Sequence, residues 1–329
     1  MKIGVVGTGM IVPEFLRVAK QLDKAEISAI YGLPRNEQVL QQLCDAYSIA
    51  RYFTDYDAFL QSDIDTVYVA VPNHLHYEMT KAAILAGRHV LLEKPFTSNF
   101  AQAQELFRLA EKHGTLLFEA IPNIYTPAYA QTPAQLSKLG NIKLVSMNYS
   151  QYSSRYDAFK RGIVKPVFDP QRAGGALMDL GVYNVHFVLG LFGEPLSLHY
   201  TANIEGGIDV SGVLTMKYPT FTATLTAAKD CKAPCHITLQ GDSAYLHSTC
   251  PANEYRDFSV VANDGSRLAL QSRDEQHRLY HELNYLIDAV KRSDRAAMER
   301  ARRQTLAVMK VLDEARRQVG LPTLEQRAD

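Results

Sequence analysis

The chain has 329 residues, of which 47% are hydrophobic and 21% charged, and its 35 Lys and Arg balance its 35 Asp and Glu. This length favours two domains, and the composition is that of an ordinary soluble globular protein. The zero net charge argues against nucleic acid or an acidic membrane as a partner held by bulk charge.

The first residues have the layout of a dinucleotide-binding turn. A hydrophobic strand, Lys2–Gly7, runs into Gly7-Thr8-Gly9, and a helix with one apolar face follows over Met10–Leu22. The glycines let the backbone approach a pyrophosphate, and the helix N-terminus attracts its negative charge. Val12 stands at the third position of G-x-G-x-x-G/A, where it would hold helix and strand slightly further apart.

The end of the second strand bears on the choice between NAD and NADP. The strand is predicted over Glu26–Tyr31, and no acid follows it before Glu37 to accept the ribose hydroxyls. Gly32 stands at its end and Arg35 lies close by, which favours the 2′-phosphate of NADP. The alternative is that Arg35 merely starts the next predicted helix, Asn36–Ser48.

Strands and helices continue to alternate as far as residue 121. With six strands in total, this pattern predicts a doubly wound parallel sheet, the Rossmann architecture. Further strands are predicted over Arg51–Phe53, Thr66–Val71, His89–Leu92 and Thr115–Ala120, and further helices over Tyr56–Leu60, Tyr77–Ala86 and Phe100–His113, with Ser98 or Asn99 as a cap.

Two polar side chains follow strands of this sheet. Lys94, in Glu93-Lys94-Pro95, comes directly after a buried strand, and ligands of open α/β sheets lie outside such carboxyl ends. A lysine there can donate a hydrogen bond to a substrate oxygen, whereas the alternative is an exposed turn. His76 follows Pro72 and Asn73 at another strand end, and it contacts a ligand or hydrogen-bonds the loop.

After residue 122 the pattern changes to longer segments with a period of two. In Thr220–Ala227, Phe221 to Ala227 put apolar side chains on one face and threonines on the other, which predicts a half-buried antiparallel strand. Other candidate strands are Ile142–Ser153, Ser197–Glu205, Asp209–Tyr218, Cys235–Gln240 and Ala244–Ser248, with one helix over Ala176–Phe192 among them and two at the end, Asp274–Arg292 and Ala296–Val319. We therefore expect domains over 1–121 and 122–329.

The helix Ala176–Phe192 carries a second group of reactive side chains. Asp179 and Tyr183 are spaced i, i+4, so they share one helix face, and His186 follows. A carboxylate and a phenol one turn apart can reach the same substrate, and Tyr can act as a general acid or base beside a cation. The alternative is an Asp that caps the preceding Gly-rich loop and a Tyr in the core.

The four cysteines are scattered, which favours a reducing cytoplasm. Cys231-x-x-x-Cys235 lacks a second Cys or His pair of matching spacing, so we expect thiols and no metal site. The sequence shows neither a signal-peptide layout nor a run of membrane-helix length.

Taken together, these motifs resemble the Gfo/Idh/MocA oxidoreductases in order and spacing. The motifs are the Gly-x-Gly turn, Val71-Pro72-Asn73-His74-Leu75-His76, Glu93-Lys94-Pro95, and the run from Gly174 to Tyr183. Tyr183 resembles the branch with dimeric dihydrodiol and xylose dehydrogenases. Pro122 and Ile124 depart from that branch, which has Trp and Arg there.

The resemblance implies a Rossmann domain followed by an α/β domain with a large, mostly antiparallel open sheet. It implies that Lys94 is the catalytic lysine and that Asp179 contacts the substrate, with Tyr183 as its companion. We expect Tyr183 to accept the proton and Lys94 to stabilise the substrate oxygen, although the two roles are exchangeable. The predicted cofactor contacts are Gly7, Gly9, Met10, Ile11, Arg35, Pro72, Asn73, His76, Glu93 and Lys94.

The sequence thus predicts an NAD(P)-dependent dehydrogenase, with NADP favoured over NAD, that acts on a sugar, polyol or related hydroxylated small molecule. The rivals are a regulator that senses the cofactor without turnover and an oxidoreductase that swaps two sugars on a retained cofactor. Retention of Lys94, Asp179 and Tyr183 favours the dehydrogenase. The second domain's sheet has a face that three helices can hardly cover, so we expect a homodimer or homotetramer through it.

Overall fold

The computed structural model describes residues 1–271 and 274–323, including their side chains except those of 268–271. Within these residues the chain forms two compact units. The first unit comprises Met1–Ala120 and Leu279–Leu306, and the second comprises Ile121–Arg278 and the chain from Ala307 onward. The C-terminal helical region is therefore divided between the two units.

The first unit contains a six-stranded sheet of the order β3-β2-β1-β4-β5-β6, in which all neighbours are parallel. Buried apolar runs form its central strands because helices cover both faces. The predicted doubly wound parallel sheet is confirmed. The strands are β1 Lys2–Val6, β2 Glu26–Tyr31, β3 Arg51–Phe53, β4 Thr66–Val69, β5 His89–Glu93 and β6 Leu117–Ala120.

Five helices alternate with these strands. Two of them begin at a side-chain cap: Asp55 accepts the N–H of Ala58, and Asn99 accepts that of Gln102. The predicted cap of the fifth helix is thus Asn99. The helices are α1 Ile11–Ala19, α2 Glu37–Tyr47, α3 Tyr56–Leu60, α4 His76–Leu85 and α5 Phe100–Lys112.

The second unit contains an eight-stranded sheet of the order β14-β13-β12-β11-β7-β10-β9-β8. Its neighbours are antiparallel except for β7 and β10, which run parallel. The strands are β7 Ile142–Ser150, β8 Ser197–Glu205, β9 Ile208–Lys217, β10 Thr222–Ala228, β11 His236–Gly241, β12 Ala244–Ser248, β13 Asp257–Ala262 and β14 Arg267–Gln271. The predicted mostly antiparallel open sheet is confirmed.

Four strands and α-helices of this unit were absent from the sequence prediction: β13, β14, helix α6, Pro127–Leu139, and the short helix α7, Tyr156–Lys160. Proline obscures helix α6, because Pro127 occupies its first turn and Pro133 lies inside it. Thr126 nevertheless caps it by accepting the N–H of Tyr129. Helix α7 follows β7, so the prediction of one helix among the strands was wrong.

The predicted helix Ala176–Phe192 consists of two parts. Leu177–Gly181 is a π-helical turn, and α8, Val182–Phe192, continues from it. The last two helices are α9, Tyr280–Lys291, and α10, Arg295–Gln318, of which α9 begins six residues later than predicted. Among the described residues, the segment Pro170–Phe192 is long and apolar enough to span a membrane, but 78% of that window is buried inside the protein, as in a core helix.

Candidate functional site

The β1–α1 turn contains two glycines that are required for different reasons. Gly7 has φ +118°, and a Cβ there would lie 2.2 Å from the carbonyl oxygen of Ala70, so a larger residue has no room. A Cβ on Gly9 would meet nothing closer than that same oxygen, at 4.0 Å, in the described chain. Glycine at position 9 therefore keeps open the space before the helix, as close approach of a pyrophosphate requires.

The first turn of α1 offers backbone N–H groups to that space. Met10 precedes this turn, its own side chain does not cap it, and the residue is 70% exposed. Ile11 is half-buried, whereas Val12, the departure from the fingerprint, is fully buried. The positive end of the helix dipole, next to the space that Gly9 keeps open, suits a phosphate, so the turn fits the NAD(P) pyrophosphate.

Arg35 lies in a 3₁₀ turn, Pro34–Asn36, between β2 and α2, and its side chain is exposed. It is therefore placed before α2 and outside it. Asn36 donates to the hydroxyl of Thr8 in the glycine turn at 3.1 Å, which ties the two loops together. The nearest carboxylate along the chain, Glu37, accepts a hydrogen bond from Tyr52. This arrangement fits a 2′-phosphate better than a free ribose hydroxyl.

His76 is buried at the start of α4, and both of its ring nitrogens meet main-chain carbonyls. Nε2 lies 2.9 Å from the oxygen of Val71, and Nδ1 lies 2.9 Å from that of Pro95 and 3.3 Å from that of Phe96. Burial lowers the pKa of His76, with the carbonyls opposing the shift. His76 therefore joins the loops after β4 and β5, which is the loop alternative that the sequence left open for it, and its contact with the cofactor stays a prediction.

The loops that His76 joins carry the remaining predicted cofactor contacts. Pro72 is exposed and Asn73, in a 3₁₀ turn, is half-buried. Glu93 ends β5 and accepts a hydrogen bond from the hydroxyl of Tyr68. Lys94 follows directly, is half-buried and thus differs from a fully exposed turn lysine. The Tyr68 ring stacks on Phe15 at 3.7 Å between centroids.

In the second unit, Asp179 lies in the π-helical turn and its carboxylate forms an ion pair with Lys229. The Lys229 side chain is 6% exposed, and that of Asp179 is 30% exposed. Asp179 is therefore partly exposed, whereas the alternative from the sequence was a buried Asp. The pair fixes a carboxylate that remains accessible, which is what hydrogen bonding to a substrate hydroxyl requires.

The group that caps this turn is Asp209, at the start of β9. Its Oδ2 accepts the N–H of Leu177 at 2.7 Å and the hydroxyl of Tyr200 at 2.8 Å. Burial raises the pKa of Asp209 to about 6, against the opposing effects of these hydrogen bonds and of buried Arg316. A Cβ on Gly175 would lie 1.9 Å from Oδ1, so only glycine admits this carboxylate.

Tyr183 lies in the first turn of α8 and is largely buried. Its ring is 6.1 Å from that of Tyr149 on β7, and its carbonyl accepts the side-chain N–H of Asn123 at 2.8 Å. Asn123 is fully buried in the 3₁₀ turn Pro122–Ile124, the segment that departs from the dehydrogenase branch. The departing segment thus supports the helix of Tyr183.

Sequence reasoning missed Lys229, Asp209, Asn123 and Tyr68. A usable signal existed for Lys229 and Asp209 alone. Lys229 is the first charged residue after the regular alternation of β10, and Asp209 interrupts an apolar strand start. A charge at such a place indicates a buried partner. Asn123 and Tyr68 carry no comparable signal.

Two family models match the chain. Residues 1–121 match the GFO_IDH_MocA model, described as an oxidoreductase family with an NAD-binding Rossmann fold, and residues 134–247 match the GFO/IDH/MocA C-terminal domain. The matches cover the cofactor turn, Lys94, Asp179 and Tyr183. They also include Lys229, the partner of Asp179.

Curated relatives agree with these models over long stretches. The chain is 29% identical over 323 residues to scyllo-inositol 2-dehydrogenase (NADP(+)) IolU of Bacillus subtilis, covering 98% of each chain. It is 32% identical over 222 residues to D-xylose 1-dehydrogenase (NADP(+)) 2 of Haloferax volcanii, covering 65% of each.

Among solved structures, KijD10, a 3-ketoreductase of Actinomadura kijaniata in complex with NADP and TDP-benzene, has the same fold. The TM-score is 0.83 at 23% identity, over 96% of this chain and 97% of the other. The fold, the cofactor turn and both matched models lead to one conclusion: the chain belongs to the Gfo/Idh/MocA family and is an NAD(P)-dependent oxidoreductase.

Proposed function

We propose that the protein is an NADP-dependent dehydrogenase that oxidises a secondary hydroxyl of a cyclic polyol or sugar with a hydroxyl on the adjacent carbon. The observation that carries the proposal is the accessible Asp179 carboxylate fixed by Lys229. A fixed carboxylate is suited to accept a hydrogen bond from the hydroxyl that does not react. The names of the relatives support the same class, because scyllo-inositol and D-xylose both carry adjacent hydroxyls.

The proposed reaction gives a separate role to each of the predicted catalytic side chains. When bound, the nicotinamide supplies the hydride acceptor. Lys94 donates a hydrogen bond to the hydroxyl oxygen of the substrate that reacts. It thereby stabilises the negative charge that develops on this oxygen as the hydroxyl proton leaves. Tyr183 accepts that proton as a phenolate, becomes a neutral phenol, and afterwards releases the proton to solvent. Asp179 orients the substrate through the neighbouring hydroxyl.

The preference for NADP rests on the end of β2. The exposed Arg35 and the lack of an acid between Glu26 and Glu37 both favour the 2′-phosphate. The two dehydrogenases named above, from Bacillus subtilis and Haloferax volcanii, carry NADP(+) in their names. Calorimetric titration with NADP+ and NAD+ checks the preference, and tighter binding of NAD+ would contradict it.

The proposed assembly is a homodimer or homotetramer through the eight-stranded sheet. Its alternating strands bury one set of side chains, while the other set includes the partly exposed Thr222, Thr224 and Thr226 and the exposed Val213. This face is less apolar than the sequence led us to expect, because threonine dominates β10. We propose a cytoplasmic location on the basis of the few scattered thiols. Light scattering at micromolar concentration tests the assembly.

A substrate panel tests the activity. The purified chain is incubated with NADP+ and scyllo-inositol, D-xylose or trans-cyclohexane-1,2-diol, and NADPH formation is followed by absorbance. We expect turnover with a cyclic substrate that has adjacent hydroxyls and little with cyclohexanol, which lacks the second hydroxyl. Binding of NADP+ without turnover of any substrate would instead support the cofactor-sensing regulator.

A further inference from the structure

The Asp179–Lys229 pair joins the candidate substrate turn to the sheet beneath it. Lys229 comes directly after β10, and its main chain is fixed on both sides. Its N–H donates to the carbonyl of Val210 at 2.8 Å, and its carbonyl accepts the N–H of Ser153 at 2.9 Å. The position of the Lys229 Cα is therefore set by the neighbouring strand β9 and by the loop after β7.

Two neighbouring groups fix the position of the Lys229 side chain. Its Nζ lies 5.8 Å from the centre of the Phe168 ring, a fully buried side chain, and contacts Oδ2 of Asp179. A buried ammonium group is costly unless an opposite charge accompanies it. Movement of Asp179 away from Lys229 would leave that charge without its described carboxylate partner, so the pair resists reorientation of Asp179.

A second anchor acts on the same turn. Asp209 accepts the N–H of Leu177, two residues before Asp179. The turn Leu177–Gly181 is therefore joined to β9 through its main chain and to the end of β10 through its side chain. Asp209 positions the main chain of the turn, whereas Lys229 fixes one oxygen of the Asp179 carboxylate.

We propose that Lys229 is a positioning residue for the reaction, acting through Asp179. This inference rests on the proposed function, since it gives Asp179 its place on a substrate hydroxyl. Lys229 itself does not touch the substrate. It holds one carboxylate oxygen and thereby sets the direction in which Asp179 meets the neighbouring hydroxyl of the polyol.

A double-mutant cycle in kinetics tests this role, with Lys229→Met, Asp179→Asn and the double variant. The best substrate of the panel above is used with NADP+. We expect Lys229→Met to lower kcat/KM by about a hundredfold, the scale of an ångström-sized misplacement, with NADP+ affinity unchanged. In the Asp179→Asn background the same substitution should have almost no further effect. Multiplicative losses would mean that Lys229 does not act through Asp179, and the proposal would fail.

Two further kinetic readouts separate positioning from general damage. Lys229→Arg keeps the charge and should recover a large part of the activity that Lys229→Met loses. In Lys229→Met the acid limb of the pH–rate profile should move to higher pH, since a carboxylate without its cation is harder to ionise. Lys310→Met serves as the control, because Lys310 pairs with Glu194 on an exposed surface of the same unit. If the pH–rate profile of Lys229→Met does not move and Lys229→Arg recovers no activity, Lys229 has only a structural role and the proposal fails.

An unfolding cycle with the same variants needs no substrate. Asp179→Asn leaves Lys229 buried without this carboxylate and should lower the urea midpoint, whereas adding Lys229→Met should restore part of the loss. If the two substitutions shift the urea midpoint additively, the ion pair is not formed. That result overturns the inference whether or not the chain is a dehydrogenase. Strong coupling in unfolding with no turnover by the wild-type protein would refute the proposed function, and with it the role of Lys229 in a reaction.

Discussion

The two units hold their candidate site residues by different physical means. In the first unit, His76 joins two loops through main-chain carbonyls, and Gly7 fits where a side chain has no room. In the second unit, the buried charges of Asp209 and Lys229 hold the turn of Asp179. The first arrangement uses neutral contacts and shape, and the second uses charges taken out of water.

This difference predicts which substitutions and conditions should affect each unit most. A hydrogen bond to a carbonyl contributes about 0.5–1.5 kcal/mol net, and it responds little to salt. A buried ion pair stabilises little in sum, but removal of one partner leaves an uncompensated charge. The cofactor unit should therefore tolerate loss of single contacts, whereas the second unit should respond sharply to the loss of a charge and to pH.

The largest effect on activity should come from Lys94, which is proposed to act in the reaction itself. Lys94→Ala should lower kcat by about a hundredfold or more, since a group that stabilises the substrate oxygen is lost. Binding of NADP+, measured by calorimetry, should stay nearly unchanged. Lys81→Ala is the matched control, because Lys81 pairs with Glu105 in the same unit, away from the strand ends. Wild-type turnover by Lys94→Ala would remove the catalytic assignment.

The pH dependence of stability should show the charged anchor of the second unit. The folded-state pKa of Asp209 is about 6, above its usual value of 3.8, so the folded state binds this proton more tightly. Stability is then greatest below pH 4 for this group and falls by about 2–3 kcal/mol as pH rises through 6. Asp209→Asn should remove that slope, as urea unfolding between pH 4 and 8 can measure. If the dependence of the unfolding free energy on pH is unchanged in Asp209→Asn, another group titrates and the assignment to Asp209 is wrong.

The two glycines of the cofactor turn give a matched pair. Gly7→Ala forces a Cβ against Ala70 at a positive φ and should cost about 1–3 kcal/mol of unfolding free energy. Gly9→Ala meets nothing closer than 4.0 Å in the described chain, so the apo protein should keep its stability. It should nevertheless weaken NADP+ binding, because the new methyl group enters the pyrophosphate space. Equal losses of stability would contradict this distinction.

The smallest effect should come from His76, and its pH dependence has the opposite sign to that of Asp209. Burial lowers the folded-state pKa of His76 below 6.5, so the unfolded state takes up the proton first. Its contribution is present above pH 6.5 and is lost as pH falls. His76→Gln should flatten this rise and cost about 0.5–1.5 kcal/mol at neutral pH, because the amide keeps only part of the hydrogen bonding to the carbonyls. A steeper rise with pH in the variant would contradict it.

Local pattern predicted most of the fold. The bounds of β2, β3, β8 and β12 follow from short apolar or alternating runs that end at turn residues, and they match the structure. Helix α6 was missed because Pro133 lies inside it, and packing against β11, β12 and β13 offsets that residue. The strands β13 and β14 were also missed.

The candidate site was predicted as far as its motifs are local. Lys94, Asp179 and Tyr183 lie in short runs that the sequence displays directly. Lys229 is 50 residues from Asp179, and no periodicity links residues across such a distance. The π-helical turn was predicted as ordinary α-helix, because both have apolar positions at similar spacing. Ion pairs between residues far apart in the chain, such as Asp179 and Lys229, could therefore not be predicted from the sequence.

The parallel pairing of β7 with β10 has a consequence for where ligand loops can be built. Strands that run parallel end at the same edge, and the chain beyond β7 stays paired with the end of β10 through Gln151 and Ser153. A hairpin would have sent these two segments to opposite edges. Through this one parallel pair, the second unit has at one place what a Rossmann sheet has between all its strands: two neighbouring loops that leave the same edge of a paired base.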